Sequence, residues 1–97
     1  MKAIIKKVGE NPQVTEIENE LKTLQGIVGG YIEVVSMGEG IALVLNEEGK
    51  LVGLPANFGL GRDVIVGDVL FVAYGNDGEF TDLTDFQIDV IMSNFYE

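Results

Sequence analysis

Two stretches of this chain are apolar in both alternations of a β-strand. In VLFVAY (69–74), Val69, Phe71 and Ala73 alternate with Leu70, Val72 and Tyr74; in IALVL (41–45) every residue is apolar. Successive strand side chains point to opposite faces, so strands of this kind need cover on both sides and belong in the middle of a sheet. The chain has 97 residues, 46% of them apolar, which is enough for one modest core and one domain, residues 1–97.

Around these two runs the remaining elements can be placed. AIIKKV (3–8) and VTEIE (14–18) read as a strand pair joined by the Gly and Asn-Pro turn GENPQ. Asn19 is placed to cap a helix whose apolar face is Leu21, Leu24 and Val28, and Gly29-Gly30 stops it. YIEVVSM (31–37) is β-branched and strand-like, and MGEG turns it into the 41–45 strand. NEEGK then reverses the chain with Gly49 at a positive-φ position, KLVGL (50–54) returns as a short strand, and Pro55 ends it. NFGLGR (57–62) reads as loop, DVIV (63–66) as a short extended piece, and GNDGEF as a polar turn before a last helix. Thr84 and Gln87 form a capping box for that helix, whose stripe is Ile88, Ile91, Met92 and Phe95. Helices and strands do not alternate regularly. The expected class is therefore α+β: an antiparallel or mixed sheet of five to six strands with two helices, in the order β-β-α-β-β-β-(β)-β-α.

Residue usage restricts the chemistry. The chain has neither cysteine nor histidine, so disulfides, thiolate chemistry, the commonest general base and the commonest zinc ligand are absent together. Ser36 and Ser93 lack a histidine partner for nucleophilic catalysis. Gly29-Gly30, Gly38/Gly40 and Gly59/Gly61 match no phosphate-binding fingerprint and read as turns and a helix stop. NDGEFTD (76–82) has the flavour of a calcium loop but not its spacing. No enzymatic activity, cofactor or resident metal is expected. The N-terminus has no signal-peptide pattern and no run is long enough to span a bilayer, which points to a cytosolic protein.

Charge points toward a partner. Sixteen acids face six bases, for a net charge of −10, and after Arg62 there are eight acids and no base. Such a field repels nucleic acid and anionic membrane and attracts a basic protein. Acidity of this degree also serves solubility alone. Four residues stand out as a recognition surface: Tyr31, Glu33, Asn46 and Asn57. Glu33 interrupts an apolar strand and is read on the same face as Tyr31, so an acid and a phenol could meet a polar ligand there; a face that simply meets water is the simpler account. The two asparagines also have a structural explanation, since their side chains bond backbone at turns. Glu47-Glu48 is read as an exposed hairpin tip.

VGGYIEVV, NEEGKLVGLPAN and DVIVGDV, in that order, resemble the hallmarks of a small domain-of-unknown-function family of Gram-positive bacteria, their phages and mobile elements. The matching segments here are Leu24 to Glu33, Asn46 to Leu51, Leu54 to Asn57 and Ile65 to Gly67. The resemblance implies a source and a fold and carries no reaction. Two functional expectations follow. One is a non-enzymatic protein-binding accessory or host-takeover factor, in one version a DNA mimic whose carboxylates stand in for phosphates. The other is a small-ligand binder, such as a sponge for a signalling nucleotide, around Tyr31, Glu33 and Asn57. Exposed apolar residues at Phe86, Val90 and Tyr96 leave room for a two-fold contact between copies.

Overall fold

The computed structural model describes residues 1–95. Its elements are β1 (Lys2–Lys6), β2 (Gln13–Glu16), α1 (Leu21–Val28), β3 (Ile32–Gly38), β4 (Ile41–Asn46), β5 (Ala56–Leu60), β6 (Asp63–Val66), β7 (Val69–Tyr74), β8 (Phe80–Thr81) and α2 (Asp85–Ser93). Six strands form one sheet in the order β2-β1-β7-β4-β3, with β8 also paired to β7; β5 and β6 form a separate two-stranded sheet. Every pairing is antiparallel. The fold is α+β, with the two helices and six-stranded sheet that the sequence indicates, plus the small second sheet.

The two doubly apolar strands take the middle of the sheet and pair with each other, Leu43 opposite Phe71 and Val44 opposite Leu70. Their alternation divides the core into two layers. Leu43, Val69, Phe71 and Ala73 face a layer completed by Ile65 of β6 and Ile91 of α2. Ala42, Val44, Leu70 and Val72 face a layer completed by Leu24 and Val28 of α1. The sheet is thus covered by α1 on one side and by α2 with the β5–β6 hairpin on the other. Each fully buried Leu, Ile or Val in these layers contributes about 1.5–3 kcal/mol.

Local signals fix the ends of both helices. Gly29 is left-handed (φ 81°, ψ 24°) and its N–H donates to the Gln25 carbonyl at 2.8 Å, stopping α1 as expected. At α2 the capping box is complete: the Gln87 N–H donates to Thr84 Oγ1 at 3.1 Å, and the Thr84 N–H to Gln87 Oε1 at 2.9 Å. Gln87 Nε2 also donates to the Glu39 carbonyl at 2.8 Å, tying α2 to the β3–β4 turn. Ile91 is buried, and Ile88, Met92 and Phe95 pack against the same cluster, as the stripe implies.

Several expectations need correction. KLVGL is not a strand. Its N–H groups find acceptors within the turn itself: Val52 to Glu48 at 3.0 Å, Gly53 to Lys50 at 3.3 Å and Leu54 to Gly49 at 2.9 Å. Little is left to build a ladder. Gly49 is not at positive φ; Gly53 is, at 74°. Gly49 is needed for closeness, since a Cβ there would stand 2.9 Å from Val66 Cγ2. The strand lies one step later, in the segment read as loop: Phe58 and Leu60 pack on the core while Gly59 faces out, and Gly61 (φ 60°) with Arg62 turns the hairpin. Pro55 therefore precedes a strand rather than ending one. Asn19 does not cap α1. Glu20 occupies that position without a side-chain bond, and Asn19 Nδ2 donates to the Phe80 carbonyl at 2.9 Å. Phe80, read as the last residue of the GNDGEF turn, instead begins β8, which pairs with β7.

Candidate functional site

Asn46 and Asn57 are both structural brackets. Asn46, at the end of β4, is 9% exposed. Its Nδ2 donates to the Val28 carbonyl at 3.2 Å, and its Oδ1 accepts the Glu48 N–H at 2.8 Å. It thereby satisfies a carbonyl at the open C-terminal end of α1 while shaping the turn that follows β4. Gly30 packs against it, for a Cβ there would lie 2.9 Å from Asn46 Nδ2. Asn57 lies in β5. Its Nδ2 donates to the carbonyls of Lys6 at 2.9 Å and Gly67 at 2.8 Å, and its Oδ1 accepts from Lys6 Nζ at 2.8 Å. Lys6 is only 7% exposed and its ammonium also donates to the Lys7 carbonyl at 2.9 Å. A buried ammonium is costly unless hydrogen-bonded, and Asn57 supplies one of its two acceptors.

The four singled-out residues therefore separate. Tyr31 and Asn46 line a common hollow of about 490 Å³ with Gly29, Gly30, Glu48 and Val52. Asn57 and Glu33 are not among its lining residues. β3 begins at Ile32, leaving Tyr31 in the bend after α1, whereas Glu33 is an exposed strand residue opposite Leu45. The acid and the phenol do not converge on this hollow.

The hollow has a definite character. Tyr31 is 69% exposed, yet its backbone is fixed, the Glu47 N–H donating to its carbonyl at 2.8 Å. Val52 is 61% exposed and its neighbour Leu51 is 87% exposed, unusual values for large apolar side chains. Glu47 and Glu48 are both exposed, as the hairpin-tip reading expects. The turn's one cation is engaged elsewhere: Lys50 Nζ donates to Asp63 Oδ1 at the start of β6. That bond, with the Val64 N–H, holds the exposed Asp63 carboxyl below its usual range. Sequence reasoning missed Glu48 and Val52 as lining residues. The available signal was the Leu51-Val52 pair, two apolar residues held between charged residues and glycines.

A second cleft, about 510 Å³, lies between the β5–β6 hairpin and α2. Phe58, Phe71 and Phe95 meet there, with ring centroids 5.1 Å apart for Phe58–Phe95 and 6.2 Å for Phe58–Phe71. Among the described residues Asn94 is its one polar side chain, and Asn94 Nδ2 donates to the Val90 carbonyl at 2.7 Å. This is the seam of a core layer. Val90, expected on the surface, packs into the same layer; Phe86 is 63% exposed, and Tyr96 lies outside the described residues. Among the described residues no group of three or more acids stands close enough to hold a metal ion, and no helix is long and apolar enough to cross a membrane.

With the geometry in place, comparison with known proteins gives one family. A model of a domain of unknown function, DUF3846, matches residues 1–96. The chain belongs to the DUF3846 family. Neither the curated proteins nor the solved structures give a match.

Proposed function

We propose that this DUF3846 domain is a non-enzymatic protein-binding module that engages a basic partner, serving as an accessory or host-takeover factor. The observation that carries the reading is the hollow at the end of α1, where exposed Tyr31 and Val52 share the lining with Glu48, and where exposed Leu51 and Glu47 are the chain neighbours of two of these residues. Exposed apolar groups supply contact area and the acids supply steering and selectivity. The wider surface agrees. Among the described residues, Glu16 and Asp63 are the acids held in ion pairs, so the acids of the second half other than Asp63 project a field that no ion pair offsets. Mimicry of DNA is the version in which these carboxylates occupy a nucleic-acid-binding partner. A nucleotide fits the hollow less well, because its phosphates would face Glu48 and none of the lining residues is a lysine or arginine.

The test is affinity capture on immobilised domain at about 50 and 500 mM salt, spanning Debye lengths from roughly 14 to 4 Å. Retention of a basic protein that falls as salt rises supports the reading. Retention of none, or retention indifferent to salt, ends it.

A further inference from the structure

We infer that the hollow at the end of α1 receives an arginine side chain of the protein partner. This rests on the reading of the domain as a module for a basic protein, and it names the group recognised and the residues that recognise it.

Two features of the hollow favour a cation, one favours a planar cation, and two more give it room and cover. The C-terminal end of α1 carries the partial negative charge of the helix, and no basic residue lies in its last turn. Glu48 lines the hollow and Glu47 precedes it, while Lys50 is drawn away by Asp63. Gly29 has no side chain and nothing stands within 4 Å of where its Cβ would be, so an incoming group can come close to the backbone there; at Gly30 that space is taken by Asn46. Tyr31 presents an exposed ring on a fixed backbone, a surface on which a guanidinium stacks and over which an ammonium is less well matched. Val52 offers apolar cover for the methylene stem. Arginine satisfies all of these at once: its stem lies on Val52, its plane on Tyr31, and its N–H groups reach Glu48 beside the negative end of α1.

The test uses nitrogen-15-labelled domain titrated with acetyl-Arg-Leu-amide, and separately with acetyl-norleucine-Leu-amide, which keeps an alkyl stem without the charge. The expected result is saturable shifts of the Gly29, Gly30, Glu48 and Val52 amides with the arginine probe alone. Tyr31→Ala weakens binding roughly threefold through loss of the ring. Glu48→Gln weakens it roughly threefold and flattens its salt dependence. Both positions are exposed, so both variants are expected to fold, and the dispersion of their spectra checks this. Shifts that the norleucine probe reproduces, that survive both substitutions, or that leave these amides still overturn the assignment. Salt-sensitive capture of a basic partner that is unchanged by Tyr31→Ala and Glu48→Gln also overturns it, while leaving the module reading standing. If no basic protein is captured yet the arginine probe binds as described, the hollow's preference holds and the module reading falls.

Discussion

Truncating Asn57 to alanine removes three hydrogen bonds that join three parts of the chain. Two are donations from Nδ2, to the Lys6 carbonyl at 2.9 Å and the Gly67 carbonyl at 2.8 Å; the third is acceptance from Lys6 Nζ at 2.8 Å. A neutral bond of this kind is worth about 0.5–1.5 kcal/mol, and one to a charged group about 1.5–3 kcal/mol. The site is part-buried, so water can replace some of the loss. The expected destabilisation of Asn57→Ala is therefore about 2–4 kcal/mol. In a domain of this size each kcal/mol lowers Tm by about 4–8 °C, so Tm should fall by roughly 10–25 °C. Thermal and urea unfolding followed by circular dichroism read this directly. The reasoning also predicts coupling. Lys6→Met removes the ammonium that needs the acceptor, so Asn57→Ala should cost at least about 1 kcal/mol less in that background. A fall of less than about 2 °C for Asn57→Ala alone, too small for even one lost bond, would refute the bracket.

Further consequences are equally local. Gly49→Ala places a Cβ 2.9 Å from Val66 Cγ2 and 3.4 Å from Leu54 Cδ1, and should cost about 1–3 kcal/mol in urea unfolding. Thr84→Ala removes half of the α2 capping box and should cost about 1 kcal/mol, with hydrogen exchange accelerated at the start of that helix. Lys50→Met should raise the Asp63 carboxyl toward its ordinary value in an NMR titration, chiefly by removing the side-chain hydrogen bond. Because that carboxyl is lowered in the folded protein, its contribution to stability is present above the ordinary carboxylate range. It is lost as pH falls through the lowered value, and Lys50→Met should shrink that loss, leaving the part that the Val64 N–H supplies.

What the sequence disclosed followed from whether a signal was complete within a few residues. The strands at 41–45 and 69–74 were legible because apolarity in both alternations admits only a central position, and the structure pairs them with each other. Gly29 and the Thr84–Gln87 box were legible because a helix end is a local problem. KLVGL misled because an apolar pair between charges and glycines matches a strand. Its N–H groups nonetheless bond within the turn, and no periodicity reports that. Phe58-Gly59-Leu60 was hidden for the opposite reason: its glycines suggest a loop, whereas they alternate with two buried contacts. Asn19 and Asn57 are the right residues for local turn bonds, yet their partners are 61 and 51 residues away. The hollow was half legible. Tyr31 and Asn46 were singled out and do meet; Glu48 and Val52 join them only because the turn after β4 folds back on the end of α1.

The central claim is that the face at the end of α1 meets a basic protein. Site-specific photo-cross-linking tests it most directly, with a benzoylphenylalanine at position 31 and, as control, at position 86 on α2, where Phe86 is also exposed. The account predicts an adduct with a basic protein from position 31, absent from position 86 and lost when Glu47 and Glu48 are both changed to glutamine. No adduct from position 31, or the same adduct from both positions, would contradict it.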